Sequence, residues 1–212
     1  MLEAEKPIGI FDSGVGGLTV AKAICEALPN EDVIYLGDTA RLPYGTKSAE
    51  TVKRYAVNTT AFLLEQGIKA LVIACNTASA VALAHLSEHA PVPVIGVIEP
   101  GAQAAADATE SGNIGVIGTV RTVSSGAYQR AIERILPSAG IDAHACPLFV
   151  PLAEENFVEH QATMLIAQTY LAPLAERNID TLLLGCTHYP VLAPVIRAVL
   201  PSGIRIVDSA VT

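Results

Sequence analysis

No apolar run in this sequence is long enough to cross a bilayer, because Lys69, Asn76, His85 and Pro91 interrupt its hydrophobic stretches, so no transmembrane helix is expected. Nor is a secretory leader expected. The opening residues, MLEAEKP, have no basic start followed by a long apolar stretch, and a strand-like segment begins directly after them, which makes the cytoplasm the expected compartment. Cations are scarce: 13 Lys and Arg stand against 21 Asp and Glu, for a net charge of −8. Without a Lys/Arg cluster the chain would repel a phosphate backbone, which argues against nucleic acid as a main partner. Cysteine is sparse. Cys25, Cys75, Cys146 and Cys186 are widely spaced and form no C-x-x-C pair, in a chain too large to need disulfide staples, so they read as free thiols. There is no low-complexity segment or long linker, so any two lobes must be tightly coupled.

What is present is a series of short, β-branched apolar runs: PIGIF, VIYL, ALVIA, VPVIGV, IGVIG, IDAHA, TLLLG and IRIV, most of them separated by longer segments with helical patterning. This is the pattern of βαβ units. Strands of a parallel sheet are covered on both faces and therefore read as continuous hydrophobic runs. At 212 residues the chain has room for one large domain or two small ones. A weak internal echo favours two: IGIFDSGVGGLTV from Ile8 resembles IGVIGTVRTV from Ile114, and ALVIACNTAS resembles TLLLGCTHYP. The two offsets nearly agree, which suggests similar lobes related by duplication and joined near GVIEPG, residues 96–101.

In open α/β sheets ligands bind beyond the carboxyl ends of the strands, where loops and helix N-termini present free amides. Every candidate motif falls there. Asp12-Ser13-Gly14 leaves the first strand, Cys75-Asn76-Thr77 follows ALVIA, Gly118-Thr119 follows IGVIG, and Cys186-Thr187-His188 follows TLLLG. DSGVGG departs from G-x-G-x-x-G, and Asp12 would set a negative charge beside a pyrophosphate, so a dinucleotide cradle is a poor reading. Either Asp12 addresses an ammonium or a neighbouring catalytic group, with Ser13 and the glycine amides shaping the pocket floor, or it merely caps the next helix. The two post-strand cysteines each have a threonine within two residues, and a helix N-terminus lowers a thiol's pKa. A symmetric proton-transfer pair would look like this. Buried cysteine is also a common small hydrophobe, the preferred reading for Cys25 and Cys146. His188 either holds the Cys186 thiolate or is a satisfied core histidine. His85 and His89 are spaced i, i+4 but lack a third ligand, so no metal site is expected. The turn Arg41-Leu42-Pro43-Tyr44-Gly45 could present Tyr44 and nearby amides to a ligand.

Taken together, IGIFDSGVGGLTV, GDTARLPYG, ACNTASA, GVIEPGA, GTVRTVSSGAY, PLFVPLAEE and GCTHYP resemble the bacterial glutamate racemases, within the aspartate/glutamate racemase family, over almost the whole chain. The resemblance implies two similar Rossmann-like (flavodoxin-like) α/β lobes with parallel sheets and a cleft that binds free glutamate with no cofactor, neither pyridoxal phosphate nor metal. It further implies that opposed cysteines exchange the α-proton, Cys75 acting on D-glutamate and Cys186 on L-glutamate, to supply D-glutamate for peptidoglycan. Supporting acids map onto Asp12 beside the first thiol, and onto His188 and the VPLAEE segment beside the second, with Glu155 chosen over Glu154. Substrate contacts map onto Ser13, Pro43, Tyr44, Gly45, Asn76, Thr77, Thr119, Thr122 and Thr187. Homodimers are common in the family, and no membrane partner is implied. Its members continue past VDSA with helix that packs on the first lobe. The expected lobes are therefore 1–98 resuming at 208–212, with that cover missing, and 99–207. A sheet face left uncovered would expose apolar surface, and the sequence reads as a fragment or a shortened form. Aspartate racemisation, or a two-lobed module that binds an acidic metabolite without chemistry, are the competing readings.

Overall fold

All eight apolar runs are strands. In a computed structural model that describes residues 3–208, β1 (Ile8–Asp12), β2 (Val33–Gly37), β3 (Ala70–Ile73) and β4 (Val94–Gly96) form one parallel sheet in the order β2-β1-β3-β4. A second parallel sheet contains β5 (Asn113–Gly118), β6 (Gly140–Ala145), β7 (Thr181–Gly185) and β8 (Arg205–Asp208) in the order β6-β5-β7-β8. The duplication echoed in the sequence is thus a duplication of topology. Each lobe puts its first strand in the interior of its sheet, and the two cysteine-bearing runs, β3 and β7, occupy equivalent places beside it.

Helices α1 (Leu18–Ala27), α2 (Ala49–Glu65) and α3 (Asn76–His89) belong to the first lobe, and α4 (Ile98–Ala108) leads from it into the second. The second lobe contains α5 (Val120–Ser125), α6 (Ala127–Ile135), α7 (Phe149–Glu154), α8 (Gln161–Ala175) and α9 (Ala193–Val199). Cover on both faces explains the continuous hydrophobicity of the central strands, since alternate residues feed different cores. Leu71 and Ile73 of β3 pack with Phe11, Leu63 and Leu86, whereas Val72 packs on the opposite face with Ile10 and Val20. Likewise Leu182 and Leu184 of β7 meet Phe149 and Leu171, while Leu183 meets Ile98, Tyr128 and Ile132.

One face of the first sheet is thinly covered. Beside α1 an apolar groove of about 290 Å³ is lined by Ile8, Val20, Ile24, Leu28, Val72 and Ile95, and Ile95 is 52% exposed. The boundary expected at residue 208 needs moving: Asp208 pairs with Leu184 and closes the second sheet, and residues 209–212 lie outside those described. Among the described residues, no helix is long and apolar enough to cross a membrane.

Candidate active site

The carboxyl ends of β1, β3, β5 and β7 bring the expected motifs to one place between the lobes. Asp12, the last residue of β1, is completely buried. One of its oxygens accepts from the Gly14 amide at 3.0 Å, and the other accepts from the Thr187 hydroxyl of the second lobe at 3.2 Å. Tyr35 donates to the Gly14 carbonyl at 2.7 Å and pins the loop from below. The glycines of this loop serve close approach. A Cβ on Gly16 would lie 2.7 Å from Thr187 Oγ1, and one on Gly17 would lie 2.4 Å from the Asp12 Cβ. The first contact packs the lobes together and the second lies within the first lobe, so side chains already fill the space a phosphate cradle would need.

Cys75 is the N-cap of α3, and its sulfur accepts from the Ala78 amide at 3.5 Å; the Ser13 hydroxyl and amide also address it. Cys186 precedes a 3-10 turn (Tyr189–Leu192), not an α-helix, and the amides of His188 and Tyr189 face its sulfur. These donors act to lower the thiol pKa values, as a helix end was expected to do, but burial outweighs them. Burial comes first: it pushes the Cys75 thiol up to about 12, with the negative charge of Asp12 adding to the effect. Burial likewise raises the Cys186 thiol, and the charges of Cys75 and Asp12 raise it further. Asp12 is itself raised by burial, with His188 acting against it. Each sulfur therefore feels the same carboxyl, and Cys186 also feels Cys75, which is what proximity across one cleft requires.

His188 Nδ1 lies 3.9 Å from the Cys186 sulfur, and its Nε2 is hydrogen-bonded to Glu154 at the end of α7. Of the two neighbouring acids it is Glu154, and not the expected Glu155, whose carboxylate reaches His188. The helix ends at Glu154, and Glu155 is its exposed C-cap. The Glu154 side chain is 29% exposed, so Cys186, His188 and Glu154 form a chain from the cleft to solvent.

The threonines form a bridge between lobes. Thr77 Oγ1 lies 2.9 Å from Thr119 Oγ1 and 3.1 Å from Thr122 Oγ1, and the latter two are 3.0 Å apart. Thr119 also caps α5 by accepting from the Thr122 amide at 3.2 Å. Tyr44 is buried and donates to Asp38, which also holds Arg41, and Gly45 lies directly against Thr119. The cleft is lined by Ser13, Pro43, Tyr44, Gly45, Cys75, Asn76, Thr77, Thr119, Cys186, Thr187 and His188. Asp12 and Thr122 stand behind this lining, tied to it by the bonds already given. Leu42 and Val150 line the cleft too, and were not anticipated although both lie within the quoted motifs. The enclosed volume is about 10 Å³, room for about one water.

The remaining candidates lie elsewhere. Cys146 is a buried thiol of the second core, as expected, but Cys25 is exposed and is no core hydrophobe. His85 and His89 have ring centroids 4.2 Å apart, and among the described residues no group of three His, Cys, Asp or Glu is placed to hold a metal.

This arrangement can be compared with known proteins. Residues 8–212 match the family described as Asp/Glu/Hydantoin racemase. A glutamate racemase of Geobacter metallireducens is 58% identical over 205 residues, covering 97% of this chain and 76% of that protein. The crystal structure of glutamate racemase isoform RacE1 from Bacillus anthracis superposes with a TM-score of 0.94 at 44% identity, covering 98% of this chain and 78% of the other. That of the Francisella tularensis glutamate racemase in complex with D-glutamate gives 0.91 at 41%, with the same coverage. By the extent of these matches, and with the two-lobed fold in agreement, the chain belongs to the Asp/Glu/hydantoin racemase family.

Proposed function

We propose that the protein interconverts L- and D-glutamate without a cofactor, by proton transfer between Cys75 and Cys186. One observation carries the reading: two thiols stand at equivalent positions of duplicated lobes and line the same buried cleft. Inversion at a carbon needs a base on one face and an acid on the other, and two lobes facing each other can supply both. In the direction from D to L, the Cys75 thiolate takes the α-proton and the Cys186 thiol delivers its own proton to the opposite face. The enzyme ends with Cys75 as thiol and Cys186 as thiolate, ready for the reverse reaction.

The raised thiol pKa values fit this scheme. A buried thiolate beside Asp12 is costly, whereas a substrate ammonium brings the opposite charge into the site and favours the ionised sulfur. Ser13, Asn76, Thr77 and Thr187 supply neutral donors to the carboxylates. Neutral donors aligned on the α-carboxylate can strengthen as charge develops there, whereas a strong cation would hold substrate and carbanion alike. His188 and Glu154 offer the second thiol a route for its proton to solvent. A cleft with room for one water cannot admit an amino acid, so entry requires the lobes to part.

Glutamate is preferred to aspartate because the relatives described above are glutamate racemases and one was crystallised with D-glutamate. Supply of D-glutamate to the cell wall from the cytoplasm, and association as a homodimer, belong to the same proposal. The test is circular dichroism of L- and D-glutamate with purified protein and no added cofactor. Racemisation that Cys75→Ala and Cys186→Ala each abolish supports the reading. Tight binding with no loss of optical activity, unchanged in both variants, would favour a binding module, and faster turnover of aspartate would replace the substrate.

A further inference from the structure

We infer that Tyr128 is a positioning residue for the reaction, holding Asn76 in place beside the first thiol and doing so from the second lobe; this rests on the function just proposed. Tyr128 lies in α6 and is 1% exposed. Its hydroxyl donates to Oδ1 of Asn76, the residue directly after Cys75 and itself 2% exposed. Accepting at Oδ1 turns the amide NH2 of Asn76 away from the tyrosine. Asn76 lines the cleft, so this bond sets how its donor is presented to a bound carboxylate.

The ring that carries this hydroxyl is held by the segments that matter. A Cβ on Gly185, the residue before Cys186, would lie 2.9 Å from Tyr128 Cε2 and 2.9 Å from the Ile117 carbonyl oxygen. A Cβ on Gly101 of α4, the helix between the lobes, would lie 3.1 Å from the Tyr128 hydroxyl. Tyr128 thus touches the connector, the end of the strand leading to Cys186 and the residue following Cys75. Two glycines make room for it. A phenol wedged at this junction transmits the position of the second thiol's strand to the first thiol's neighbour, and a small misplacement of a positioning group costs rate steeply.

Tyr128→Phe keeps the ring and removes only the hydroxyl. It is expected to lower kcat/KM for glutamate by about ten- to a hundredfold, equally for both enantiomers because their free energies are equal, while Tm changes by only about 2–4 °C. The decisive comparison is a cycle with Asn76→Ala. If Tyr128 acts through Asn76, Tyr128→Phe costs little more once Asn76 is alanine. A full additional loss in that background, or no loss in the native one, overturns the inference. A crystal structure of Tyr128→Phe gives a readout independent of turnover: a displaced or rotated Asn76 side chain is expected, and an unmoved one contradicts the proposal. If the native protein itself fails to racemise glutamate, it is the proposed function that fails, and the crystal structure still tests the role of Tyr128 in holding Asn76.

Discussion

Replacing Gly45 with alanine should force the two lobes apart. Gly45 sits in the 3-10 turn Tyr44–Thr46 of the first lobe, and a Cβ there would lie 2.4 Å from Thr119 Cβ and 2.5 Å from its Cγ2, across the cleft. Ordinary contact begins at 3.4 Å, so the gap must open by about 1 Å. Thr119 is badly placed to yield, since it caps α5 and is bonded to Thr77 and Thr122. Overpacking of this kind costs roughly 1–3 kcal/mol, equivalent to a fall in Tm of roughly 2–12 °C for a chain of this size. The larger effect falls on the reaction. A shift of about 1 Å between groups that must flank one carbon costs on the order of a hundredfold in kcat/KM. Steady-state racemisation and thermal unfolding of Gly45→Ala measure both. Native kinetics with a lowered Tm would refute the claim that this contact sets the spacing of the cleft.

Glu154→Gln should lower kcat/KM by up to about a hundredfold, the lower end of what a positioned acid or base itself contributes, while Glu155→Gln leaves it nearly unchanged; steady-state rates of the two variants check this, and the reverse ranking would contradict the His188 contact. Cys146 should make the protein lose stability in alkali. Burial pushes its folded pKa up to about 12 from an ordinary 9, so below pH 9 it has no effect, and between pH 9 and 12 the unfolded chain releases the proton first. That contributes a fall of about 1.4 kcal/mol per pH unit. Urea unfolding at pH 8, 9.5 and 11 should give a correspondingly shallower dependence for Cys146→Ala, and parallel curves would disprove the assignment.

The strands were legible because burial on both faces writes them as unbroken apolar runs, and the site followed because ligands gather at strand carboxyl ends. Cys75, Cys186, Asp12, Thr77, Thr119 and Thr187 could be placed on that rule with no coordinates, whereas Thr122, inside α5, came only from the family resemblance. What escaped depends on helix phase and on distance along the chain. Glu154 and Glu155 differ by one step at a helix end, where periodicity is too short to tell which faces His188. The exposure of Cys25 is a similar question of phase in α1. The raised thiol pKa values were unreadable because local donors point one way and tertiary burial outweighs them. Tyr35 and Tyr128 act on residues 21 and 52 positions away, a pairing that only the folded lobes create.

The most direct test of two opposed thiols is the fate of deuterium in the first few per cent of reaction. D-glutamate is given to the protein in D₂O, and substrate and product are separated and weighed by mass spectrometry. Proton transfer between two thiols on opposite faces predicts L-glutamate carrying deuterium at the α-carbon, while recovered D-glutamate keeps protium. Deuterium entering the recovered substrate as fast as the product, or product retaining the original proton, would mean that one base serves both faces, and would contradict the account.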